Sequence, residues 1–221
     1  MLAGIFSQAQ NKNEFVTPNE NLIAENILPI PKSLGQAIKK YSEGRNASLA
    51  DIHPNGKEIL AVTRFGSTNQ LHKIITPMGA RKQITFFEEP VNTASYEPTK
   101  GEYLVYSKDT GGNEFGQLYS LNLKTMESKL LTDGGRSQNG GVTWKKDGSG
   151  FYFTSTKRNG GDRDIYYMNP LKPEETQSVL ELKGGGWGIN DISDDNKKLL
   201  ITEYVSANDS YLYIYDLDTK K

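Results

Sequence analysis

One pattern recurs four times down this chain and leaves few folds open to it. The segments DIHPNGKEILAV, SYEPTKGEYLVY, TWKKDGSGFYFT and DISDDNKKLLIT align on Pro54, Pro98, Lys146 and Asp194, at offsets of 44, 48 and 48 residues. A short strand ending in Ile52, Tyr96, Trp144 or Ile192 precedes each aligned turn, and a compact apolar strand follows it, at 59–62, 103–106, 151–154 and 199–202. A third strand comes next, QLHKII, QLYSLN, DIYYMN and YLYIYD, in which Leu71, Leu118, Ile165 and Leu212 stand 47 residues apart. KQIT, SKLLT and QSVLEL supply a fourth strand in three repeats, and the last repeat reaches Lys221 without one.

Four antiparallel strands at this period are the pattern of β-propeller blades. One blade cannot bury both of its faces, so neighbours must stack around an axis. A helical solenoid is excluded by the period-2 strands, and a sandwich would not repeat so regularly. The expected fold is all-β: a propeller of four-stranded antiparallel blades at about 46–91, 92–139, 140–187 and 188–221, the last incomplete. Four blades can close a small ring, but blades of this length are more usual in larger rings, and the chain reads as the first part of a longer propeller. The alternative is that the segment around 15–23 supplies the missing strand.

Composition supports strands joined by tight turns: 22 Gly and 12 Tyr in 221 residues. With 26 Lys plus Arg against 27 Asp plus Glu, the net charge of −1 offers no footprint for nucleic acid. No apolar run is long enough to span a bilayer. Cysteine is absent and only His53 and His72 are present, which excludes disulfides, thiolate catalysis and Cys- or His-rich metal sites. No cofactor and no metal are implied.

Residues 1–24 read as an N-terminal arm. MLAGIFSQAQ is either a plain terminus or the back half of a secretory signal, with Ser7 and Ala9 at the small-residue positions and no basic residue ahead of Leu2. The second reading would place the protein in the periplasm or outside the cell, and a cytoplasmic location stays open. In 28–44, Leu34, Ala37, Ile38 and Tyr41 define one apolar helix face, predicting a short helix over 32–43 capped by Ser33 with Gln36 and packed on a neighbouring sheet.

TRFGSTNQLHKIITPMGARKQITFFEEPV (63–91), YSKDTGGNEFGQLYSLNLKTMESKLLTDGG (106–135) and the helix followed by SEGRNASLADIHPNGK resemble the propeller of bacterial serine peptidases in the prolyl oligopeptidase family. The resemblance covers roughly residues 25–221 and extends to TolB-like propellers, which share the NGK and DGSG turns. It implies a non-catalytic lid over an α/β-hydrolase domain, admitting short or unfolded peptides to a Ser-Asp-His triad. No G-x-S-x-G nucleophile elbow stands in these 221 residues. Gly148-Ser149-Gly150 reads as a turn between strands, and Gly135-Arg136-Ser137 lacks the second glycine. His53 heads a turn, and His72 holds the strand position of Tyr119, Tyr166 and Tyr213, so blade packing is its expected role. No catalytic residue is carried over.

Dipeptidyl peptidases of this family hold a substrate's N-terminal ammonium with adjacent glutamates. The acidic pair here is Glu88-Glu89, in the blade-connecting FFEEP segment, where a solvated pair beside Pro90 is the preferred reading. The loop 157–164, with Asp162 and Asp164, offers an anion or cation site but is equally a hairpin turn built of Gly and Asn. The 184–188 segment, GGGWG, is expected to carry the chain tightly toward the axis, with Trp187 packed between blades. The sequence thus points to a propeller that gates or selects peptides for a hydrolase domain, with a stand-alone TolB-like binding scaffold as the alternative. An enzyme with a site on the axis ranks last, because no carboxylate or histidine cluster recurs at axial positions. A peptide or protein partner is expected, and a second copy or the N-terminal arm covering open blade edges.

Overall fold

The computed structural model describes residues 14–17 and 22–221. The chain divides into two compact units at Arg45/Asn46. The signal-like segment lies outside the described residues.

In the first unit, Phe15 forms an antiparallel bridge with Pro31, and Val16 N–H donates to the Ile30 carbonyl at 2.8 Å. Phe15 is therefore not the missing blade strand. Helix α1 runs Lys32–Ser42. The expected Ser33–Gln36 capping box does not form: Pro31 is the N-cap residue, with φ −64 and ψ 136, and no side chain caps the turn. Proline already fixes the backbone angle that starts a helix, which places Ser33 inside the first turn. Leu34, Ile38 and Tyr41 are all exposed.

The second unit is four antiparallel sheets in chain order. They are β1–β4 (Ala47–Ile52, Ile59–Thr63, Gln70–Ile74, Lys82–Gln83) and β5–β8 (Thr93–Tyr96, Tyr103–Lys108, Gln117–Asn122, Ser128–Leu130). Next come β9–β12 (Asn139–Trp144, Phe151–Ser155, Asp164–Met168, Gln177–Leu180) and β13–β15 (Trp187–Ile192, Lys198–Ser206, Asp209–Asp216). This is the expected propeller, three blades of four strands and one of three.

Register makes the repeats equivalent residue by residue. Ile52, Tyr96, Trp144 and Ile192 end the first strands and pair with Ile59, Leu104, Phe151 and Leu199. The intervening turn is one residue longer in the second blade, 97–103 against 53–58, 145–150 and 193–198. Strand alternation then gives every blade two apolar faces, one for each neighbour.

Leu60, Val62 and Leu71 meet Tyr96, Leu104 and Tyr106 between blades 1 and 2. Val105, Leu118 and Leu131 meet Phe151, Phe153 and Met168 between blades 2 and 3. Tyr152 and Ile165 meet Ile192, Leu199 and Ile201 between blades 3 and 4. Tyr106 stacks on Tyr119 at 5.3 Å, and Phe151 meets Trp144 edge-on at 5.1 Å.

Candidate functional site

Four-stranded antiparallel blades sort their loops by topology. The links between second and third strands and the blade-to-blade connections gather on one face, and the turns between first and second strands on the other.

On the connection face, the residue just before each buried third-strand apolar residue acts as a clamp. Gln70 Nε2 donates to the carbonyls of Phe87 and Glu89, and its Oε1 accepts from Phe87 N–H. Gln117 Nε2 donates to Ser137 O at 2.9 Å, while its Oε1 accepts from the Thr132 hydroxyl and Gly134 N–H. Asp164, fully buried, accepts from Leu182 N–H at 2.9 Å. Each clamp fixes the segment crossing to the next blade. A polar residue before an apolar third strand (QL, QL, DI) is the sequence signal for it, and repeat alignment on apolar positions alone passes it over.

These clamps set the candidate site residues in place. Glu88 is exposed, whereas Glu89 is partly buried with its Oε2 3.4 Å from Lys108 Nζ. A hydrogen bond from its own backbone N–H and the Lys108 charge hold the Glu89 carboxyl below the usual range. The pair thus splits into one committed carboxylate and one open to solvent.

In the 157–164 loop, Arg158 grips Asp164 through two bonds, Nε to Oδ2 at 2.7 Å and Nη2 to Oδ1 at 3.0 Å, and reaches Asp162 Oδ2 at 3.1 Å. Burial would raise the Asp164 pKa, but the hydrogen bonds from Arg158 and Leu182 N–H outweigh it and keep the acid ionised. Arg158 bridges both carboxylates, so the loop is held by an internal ion-pair cluster. Trp187 Nε1 donates to Lys183 O, and its ring lies 5.6 Å from Tyr213 of the same blade, so this contact is within blade 4 and not between blades. At Gly186 a Cβ would lie 2.1 Å from the Tyr204 carbonyl oxygen, so only glycine lets the crossing chain pair with that strand.

Arg163 was not singled out by its place in the sequence. Its guanidinium bonds only neutral groups, Gln138 Oε1 at 2.8 Å and Thr154 Oγ1 at 3.4 Å, and burial lowers its pKa. Among the described residues no carboxylate pairs with it. Gln138 immediately precedes β9, the inner strand of its blade, which sets this charge at the axial side of the connection face. Between the first three blades lies a cavity of ≈ 310 Å³ lined by small and hydroxyl-bearing residues such as Ala50, Thr93, Ser95 and Gly140 together with the apolar Val105, Leu118 and Val142.

The opposite face holds the inner strands together across blades. Asp51 Oδ2 accepts from Tyr96 N–H at 2.7 Å, Ser95 Oγ from Trp144 Nε1 at 2.8 Å, and Asp191 Oδ1 from Lys146 Nζ at 3.4 Å. His53 packs against Tyr96 here, its Nδ1 accepting from Asn55 N–H. His72 is fully buried, with Nδ1 3.0 Å from Gln70 O and Nε2 unpartnered. Among the described residues neither ring bonds a serine hydroxyl. Ser149 sits in the 145–150 turn bonded to Asp147, and Ser137 to Asp133.

The arrangement is that of a propeller with a polar, charge-bearing connection face. Residues 91–221 match the N-terminal β-propeller domain of prolyl oligopeptidases, and the chain belongs to that family. Among solved structures it is similar to a prolyl endopeptidase (15% identity, TM-score 0.67, covering 86% of this chain and 31% of that one). It is also similar to TolB from Acinetobacter baumannii (23% identity, TM-score 0.62, covering 80% and 42%) and a TolB-type protein from Agrobacterium tumefaciens (15%, 0.59, covering 77% and 61%). The chain thus spans about a third to three fifths of the length of these proteins. No curated protein matches it in sequence. No described helix is long and apolar enough to cross a membrane.

Proposed function

We propose that this propeller selects short peptides for a prolyl-oligopeptidase-type hydrolase domain supplied from outside these 221 residues. The observation that carries the reading is the connection face, where the half-buried Arg163 lacks a carboxylate and Glu88 is a solvent-facing carboxylate. A free peptide is a zwitterion whose carboxylate suits a guanidinium and whose ammonium suits a carboxylate. The lined cavity on the axis suits a single extended chain better than a folded domain.

The test is calorimetric titration of the protein with short peptides bearing free or blocked termini. Free peptides should bind, and a blocked C-terminus or Arg163→Gln should weaken binding about tenfold, the effect of ~1.4 kcal/mol. Blocked and free peptides binding alike would sink the charge-recognition reading. Tight binding of a folded protein, with no affinity for peptides, would favour the TolB-like scaffold, a reading the likeness to TolB proteins supports.

A further inference from the structure

Arg163 and the cavity among the first three blades are joined through one hydroxyl of a buried threonine. Thr154 Oγ1 accepts from Arg163 Nη1 at 3.4 Å and donates to the Gly140 carbonyl at 3.2 Å. Gly140 in turn is part of the cavity wall. Gln138, which holds the guanidinium from its other end, stands two residues before Gly140, about 7 Å along an extended chain. A carboxylate bound to Arg163 would therefore set the residue that carries it beside the cavity.

The cavity itself indicates what that residue should be. Ala50, Ala94 and Val142, each half-buried, line it with the buried Val105 and Leu118 behind them. Among the described residues that line it, none is charged. Its wall is bare at Gly140, where a Cβ would meet nothing within 4 Å. Thr93 and Ser107, paired across β5 and β6, also line it, and their hydroxyls bond no other described residue. At ≈ 310 Å³ it lies at the low end of ligand cavities, a size for a residue or two and not for a folded element.

We propose that this is a subsite for the C-terminal residue of a peptide. The terminal carboxylate binds Arg163, a branched or aromatic apolar side chain of the same residue fills the cavity, and the peptide backbone meets the Thr93 and Ser107 hydroxyls. The subsite rests on the peptide-selecting function proposed above and adds its substrate class, peptides that end in an apolar residue with a free carboxylate. A peptide ending in glycine leaves the cavity unfilled. One ending in aspartate takes a second charge among apolar atoms with no partner of its own.

The test titrates the 221-residue protein calorimetrically with N-acetylated tripeptides, so that no ammonium takes part. Acetyl-Ala-Ala-Leu and acetyl-Ala-Ala-Phe are compared with the peptides ending in Gly and Asp, each as the free acid and as the amide. The Leu and Phe acids should bind at least tenfold more tightly than the Gly and Asp acids, as burial of an apolar side chain requires. Gly140→Leu fills the cavity from its own wall. The backbone there lies outside the left-handed region and the Cβ direction is open, so the strand keeps its fold. In that variant the Leu acid should fall to the affinity of the Gly acid, which itself should not change. Gly188→Leu, at the equivalent position of blade 4, equally open and outside the cavity, should leave every affinity as it was. Acids that bind alike whatever their last side chain, with the amides weak, would overturn the subsite and leave carboxylate recognition standing. An undiminished preference for Leu in Gly140→Leu would overturn it too. Acids and amides that bind alike, or no binding by any peptide, would overturn the peptide-selecting function and the subsite with it.

Discussion

His72 stands where the later blades carry Tyr119, Tyr166 and Tyr213, and it is buried beneath the Phe65 ring, 5.2 Å away edge-on. Burial lowers its pKa, the Gln70 carbonyl opposes this, and the Arg81 charge adds to the lowering. The neutral ring is thus preferred in the folded state. Protons then bind more readily to the unfolded chain, so this residue's contribution to stability is complete above about pH 6.5 and is lost as pH falls through the lower folded value. Thermal melts should show Tm falling from pH 7 toward pH 5, and His72→Phe should flatten that limb. A second loss belongs to Asp164, whose depressed pKa makes its contribution disappear below about pH 4. Arg158→Lys should shift that acid limb upward in pH, since a lysine cannot reproduce the two-bond grip. An unchanged acid limb in Arg158→Lys would remove Arg158 from that account.

At the scale of elements, the strands were legible because alternation and turn chemistry repeat, and the predicted strand ends at Ile52, Tyr96, Trp144 and Ile192 are the ends found. The helix start at residue 32 was legible, but its cap was misassigned, because the capping pattern at Ser33 competes with a proline that already sets the backbone. The crossing clamps were not read, since one polar residue before an apolar strand looks like an ordinary boundary until its long-range bonds are known. Gln117→Met keeps the shape and removes the bonds, leaving Gly134 N–H without its acceptor and the Ser137 carbonyl with only the Asn139 Nδ2 bond at 3.3 Å. Denaturant unfolding should show a loss of about 1 kcal/mol, the net worth of an ordinary hydrogen bond. The equivalent position in blade 4 is Tyr211, which is exposed and bonds only Asp209, so Tyr211→Ala should change stability far less.

For the whole molecule, the sequence disclosed a stack of blades and its approximate spans. It did not disclose which charges pair: Asp162, Asp164 and Arg163 are neighbours in one loop, yet the two carboxylates share Arg158 while Arg163 bonds only neutral groups. Side-chain pairing across a fold depends on distances that spacing alone does not give. Stacked repeats gain stability largely from nearest-neighbour interfaces. Hydrogen exchange should therefore be fastest in β15, an edge strand in a three-stranded blade, and slowest in β6 and β10, which are central strands in flanked blades.

The three bonds across the inner strands also determine how the molecule would bear a mechanical load. Tension drawn between Asn46 and Lys221 passes through the blade junctions in series, and the junctions are not equally strong. The first two are held by Tyr96 N–H on Asp51 and Trp144 on Ser95. The third relies on an exposed ion pair, Lys146 with Asp191, and on the Lys146 N–H bond to Asn196. Exposed pairs are weakened by dissolved ions. A chain stretched in an optical trap should shed its last blade first, and at lower force as salt is raised, while the remaining three rupture together at a force that salt leaves unchanged.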